Sequence, residues 1–112
     1  MRDIQLDINE EQRAKLLSIF QILKVTVGDV CDAYETELMV DAKDSVRGLC
    51  ETVRLDNILE PDIKNQIMEY LNDAGLAIST FGGNSTYQRA GRCLEHLGKA
   101  ESYIQAIMES NI

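Results

Sequence analysis

Residues 61–84 read PDIKNQIMEYLNDAGLAISTFGGN. Ile63, Ile67, Tyr70, Leu71, Ala74 and Ile78 recur at intervals of three and four, the spacing of one face of an α-helix. Pro61, the sole proline, stands where a helix tolerates it best. At the first helical position its missing N–H would have no partner in any case. Phe81-Gly82-Gly83-Asn84 closes the stretch, with glycines suited to a left-handed C-cap. The period is helical throughout, so the stretch predicts a helix with a defined start and stop.

The same spacing continues in both directions. Toward the C-terminus, Ser85 or Asn84 caps a further helix running to about Glu109 through Ala90, Cys93, Leu94, Leu97, Ala100, Ile104 and Met108. Toward the N-terminus, Asp56-Asn57 marks a turn. Before it, Asp41 caps a helix to about Leu55 that buries Val46, Leu49, Cys50 and Val53. The first helix is capped by Asp7 or Asn9 and carries the stripe Leu16, Ile19, Phe20, Leu23, Val27, Val30, Tyr34. That stripe crosses Gly28 without a phase slip, and a mid-helix glycine costs only about 1 kcal/mol. The break is therefore expected between Thr36 and Asp41 rather than at Gly28. No period-2 pattern competes. The expectation is an all-α, mostly antiparallel bundle of three to four helices, one domain over residues 1–112.

Composition narrows the function classes. Hydrophobic residues make up 45% and charged residues 27%, a balance that supports a packed core. Aromatics are 5% with no Trp, so the core must be aliphatic. Cys31, Cys50 and Cys93 are odd in number and widely spaced, which suits buried, reduced thiols in the cytoplasm rather than a disulfide framework. The start, MRDIQLDINEEQ, has no apolar signal-like run, and no stretch reaches the ~20 apolar residues that span a bilayer. No membrane partner is expected.

The net charge of −8 is unevenly spread. Residues 1–28 and 84–112 are each neutral, whereas residues 29–60 hold nine acids against Lys43, Arg47 and Arg54. A phosphate backbone requires a basic face, so direct nucleic-acid binding is not expected. The acidic series Asp29, Asp32, Glu35, Glu37, Asp41, Asp44 reads first as a solvated helix face. Its functional reading is a docking surface for a basic protein, with Leu38, Met39 and Val40 as apolar anchors between the charges. The rival is a charge-based inhibitor of a nucleic-acid-binding protein, using the acids without the anchors.

Other features carry less chemistry. His96, the only histidine, follows Cys93 at C-x-x-H spacing; a structural zinc site needs four ligands, and nothing in the spacing of Cys31 and Cys50 says that they complete one. A lone histidine in a helical bundle raises phosphotransfer, with Lys99 three positions on. The run His96-Leu97-Gly98-Lys99-Ala100 does not match the order His-x-Leu-Lys-Gly of phosphotransfer bundles. The segment before the last helix, with Arg89 and Arg92 after it, is a candidate anion site that ordinary capping explains equally well. Glu101 falls inside an apolar stripe and needs a partner, for which Arg47, Arg54 and Tyr70 are candidates. Gly91, Gly98 and Ser102 form a small-residue strip suited to close approach of another helix, inside the bundle or across a dimer. No cofactor motif, catalytic triad or paired Glu-x-x-His is present, so a non-enzymatic adaptor or regulatory module is the expectation. Leu38, Met39, Val40, Ile58 and Leu59 are surplus apolar residues that tilt the reading toward a homodimer.

Overall fold

The computed structural model describes residues 8–36, 39–79 and 85–110. Four helices follow in order: α1 (Glu10–Thr36), α2 (Val40–Arg54), α3 (Pro61–Ser79) and α4 (Thr86–Ser110). Each packs on two neighbours, α1 on α2 and α4, and α3 on α2 and α4. This closed ring of successive antiparallel helices is the up-down-up-down bundle.

Local chemistry accounts for the ends. Asn9 Oδ1 accepts the Gln12 N–H at 2.8 Å, which makes Asn9 the N-cap of α1. Asp7, the other cap expected, lies outside the described residues. α1 then runs through Gly28 unbroken, since the buried stripe on either side continues in phase. Thr26 is buried on the inner face, and its hydroxyl is satisfied by the Ile22 carbonyl at 3.0 Å.

α2 departs from expectation at its start. The N-cap is Met39, with no side-chain cap, and Asp41 sits in the first turn instead. The helix begins at Val40, two residues too early for the Asp41 carboxylate to cap, although it still complements the helix dipole. Pro61 opens α3 as expected, and Glu60 caps it by accepting the Asp62 and Ile63 N–H groups. Ser85 and Gln88 form a reciprocal capping box at the start of α4. The Phe81–Asn84 C-cap expected for α3 lies outside the described residues.

One aliphatic core runs the length of the bundle. Leu16, Ile19, Leu23, Leu49, Ile63, Ile67, Leu71, Ile78, Leu97 and Ile104 are essentially sealed from water. Truncating such a leucine or isoleucine to alanine costs about 2–5 kcal/mol, so this core dominates stability.

The α2–α3 connection holds a feature that the sequence reading missed. Asp56 is buried, its side chain only 1% exposed. Its Oδ2 accepts the Ile58 and Leu59 N–H groups at 3.1 and 2.8 Å, and its Oδ1 lies 3.4 Å from Lys15 Nζ on α1. Lys64 of α3 donates to its backbone carbonyl. This folds the connection back onto the bundle and buries Leu59, so Leu59 is core and not a surplus apolar residue. Asp56-Asn57 reads from sequence as an ordinary turn, because only the tertiary fold brings Lys15 to it.

Candidate functional site

The acidic series spans the end of α1 and the start of α2. Asp29 is half-buried and accepts a hydrogen bond from the Ser45 hydroxyl of α2, which ties the two helices together. Asp32, Glu35, Asp41 and Asp44 are exposed. Asp44 pairs with Arg47 at 3.1 Å on the surface, an arrangement worth at most about 1 kcal/mol. The last turn of α1 carries Glu35 and no basic residue. Carboxylates there oppose the negative end of the helix dipole, at about 0.3–1 kcal/mol each.

The Asp29–Ser45 bond fixes how both helices are rotated. At 3.6 residues per turn, Ile22, Val25 and Asp32 share the Asp29 side of α1, while Asp41, Gly48 and Thr52 share the Ser45 side of α2. No lysine or arginine falls among these positions. Val25 is 66% exposed and Ile22 37% exposed, so the face combines carboxylates with bare aliphatic side chains.

Of the apolar residues expected as anchors, Met39 is half-buried against the core. Leu38 lies outside the described residues. Val40 is exposed, and the acidic face also presents Val25 and Ile22. The signal for them was in the sequence: both lie off the buried stripe of α1, where an amphipathic helix would carry polar residues.

Among the described residues, no other helix makes a close approach to the small-residue strip at Gly91 or Gly98. A Cβ on Gly98 would meet nothing within 4 Å, and one on Gly91 would meet only the Tyr34 ring at 3.8 Å, an ordinary contact. Ser102 is exposed. The strip lies roughly opposite the buried positions Cys93, Leu97 and Ala100, so it points outward. Tyr34 beside Gly91 stacks on Tyr87, ring centroids 4.0 Å apart. The Tyr34 hydroxyl titrates above the ordinary tyrosine range, chiefly because it is hydrogen-bonded to the Tyr87 side chain.

Two polar residues have different partners from those expected. Glu101 pairs with Lys24 of α1 at 3.5 Å, not with Arg47, Arg54 or Tyr70. Glu101 lies at the edge of the stripe, on the side where α1 packs. Arg89 is buried and donates from Nε and Nη2 to the Ile78 carbonyl at 3.2 and 2.7 Å. It caps the end of α3, so its guanidinium is committed to the fold rather than to an anion.

His96 is half-buried, and its Nδ1 is enclosed without a hydrogen-bond partner. Among the described residues no group hydrogen-bonds to this Nδ1 to orient the ring. This arrangement lends the phosphotransfer reading no support. Cys93 is buried and its thiol is pushed up to about 12 by burial, with nearby Cys50 adding to it. Burial also raises Cys50, with Glu51 adding to it. Cys31 is exposed, contrary to the expectation of three buried thiols, because it falls outside the α1 stripe. Among the described residues, no three His, Cys, Asp or Glu side chains group so as to hold a metal ion. None of the described helices is long and apolar enough to cross a membrane.

The chain matches no protein-family model, no curated protein and no solved structure.

Proposed function

We infer that this chain is a non-enzymatic interaction module that docks a basic segment of another protein on the α1–α2 face. The observation that carries this reading is the make-up of that face. Asp29, Asp32 and Asp41 share it with exposed Val25 and Ile22, and none of the described positions assigned to it is a lysine or arginine. A lysine- or arginine-rich partner would relieve the repulsion among these carboxylates and their conflict with the end of α1. Val25 and Ile22 would add buried apolar area at the centre of the contact. Three free thiols favour a reducing compartment, which supports a cytoplasmic setting.

The test is fluorescence anisotropy with a labelled peptide of alternating lysine and leucine. Binding should weaken as salt rises, and Asp32→Lys with Asp41→Lys should reduce it at least tenfold. Val25→Ser separates this reading from that of a charge-based inhibitor. It should weaken binding under docking and leave it unchanged if charge alone acts. Binding that ignores both charge reversal and salt would overturn the proposal.

A further inference from the structure

α2 separates its charges around its axis. Lys43, Arg47 and Arg54 fall within about 40° of one another at 3.6 residues per turn. That edge faces α3, because Cys50, on the same side, directs its thiol to the Leu71 carbonyl of α3 at 3.6 Å. Asp41 lies on the edge that faces α1. α3 does the same. Its acids Asp62, Glu69 and Asp73 lie away from α2, and the edge toward α2 carries Met68, Asn72, Gly75 and Ser79.

Between these edges runs a groove of about 460 Å³. Lys43, Arg47 and Asn72 stand at its polar positions, over Val46, Cys50 and Ile78. Among the described residues no acid lines it, in a chain whose net charge is −8. Leu76 on its rim is 66% exposed. The Arg47 pairing with Asp44 is a surface pair that a competing carboxylate can replace at little cost. The Ile78 carbonyl, which would repel an anion, is covered by the Arg89 guanidinium. Gly75 keeps the groove open. A Cβ there would lie 3.8 Å from Val46 Cγ1, an ordinary contact, so packing of α2 on α3 does not require glycine.

We propose that the α2–α3 groove docks an acidic peptide segment of a partner protein, one that places a large apolar side chain between carboxylates. The apolar side chain lies on Val46 and Ile78 against Leu76, and the carboxylates meet Lys43 and Arg47. The groove is open along its length, so a peptide backbone seated in it stays hydrated. A lipid chain would leave much of its apolar surface wet. This site is separate from the acidic α1–α2 face and has the opposite charge preference, so either can fail without the other.

The experiment uses the full chain and a labelled peptide of glutamates around a central leucine and phenylalanine, followed by anisotropy at low salt. Wild type should bind, and replacing the glutamates by glutamines should weaken binding at least tenfold. Lys43→Glu with Arg47→Glu should do the same. Gly75→Leu should fill the groove and abolish binding with helical content and melting temperature retained. Gly98→Leu, on the outward side of α4, should bind as wild type does. Failure of wild type to bind, or equal binding by Gly75→Leu or by the glutamine peptide, overturns the proposal. A concentration-dependent dimer in sedimentation that Gly75→Leu abolishes would assign the groove to a second copy of this chain and overturn the choice of occupant.

Discussion

Replacing Asp56 with alanine should destabilise the bundle out of proportion to its place in a surface turn. The carboxylate is 1% exposed and holds the Leu59 N–H, itself buried, and the half-buried Ile58 N–H. Leaving a buried N–H without an acceptor costs about 1–3 kcal/mol. The Ile58 N–H can recover water, so it adds about 0.5–1 kcal/mol. Lys15 is a third exposed and regains hydration when its partner is removed, which limits the loss of the ion pair to about 1 kcal/mol. The total is about 1.5–5 kcal/mol. Urea denaturation followed by the helical signal should show a midpoint lower by about 1–5 M at unchanged slope, taking about 1–2 kcal/mol per molar for a chain this size. Lys15→Met should cost about 1 kcal/mol or less, which separates the N–H contribution from the ion pair. A loss under 1 kcal/mol for Asp56→Ala would refute the argument that this carboxylate anchors the α2–α3 connection.

Other outcomes follow from the same structure. Arg89→Met should cost about 1–3 kcal/mol, since it uncovers the Ile78 carbonyl at the end of α3; an unchanged melting temperature would contradict that capping role. Gly98→Ala should raise stability by up to about 1 kcal/mol, because the added methyl meets nothing and alanine favours the helix; destabilisation would show that another helix does approach there. Stability should fall as pH rises from about 9 toward about 12, because the unfolded Cys93 thiol ionises near 9.0 while the folded one is held neutral up to about 12. Cys93→Ala should flatten that alkaline slope in urea titrations at successive pH values, and an unaltered slope would assign it to other groups. Cys31 should react with a thiol reagent within minutes at pH 8 while Cys93 stays protected until unfolding, as mass spectrometry after timed quenching would record.

The sequence by itself determined where α1, α3 and α4 begin and most of the buried stripe of each helix, while it placed the start of α2 two residues late. Pro61, Ser85 with Gln88, and Asn9 act on backbone groups within a few residues, so their effects are readable locally. The spacing of Ile63, Ile67, Leu71, Ala74 and Ile78 names the inner face of α3 without reference to any other helix. What needed the tertiary structure is every relation between helices: Lys24 as the partner of Glu101, Arg89 on the end of α3, Lys15 over Asp56. In a linear chain these pairs are indistinguishable from many other charge combinations, because their separation in sequence says nothing about their separation in space. The two proposed docking faces show the same division. That Lys43, Arg47 and Arg54 share one edge of α2 follows from periodicity alone. Only packing decides that this edge lines a groove with α3 while Asp41 turns toward Asp29 and Val25, because the direction of a helix face is set by its neighbours.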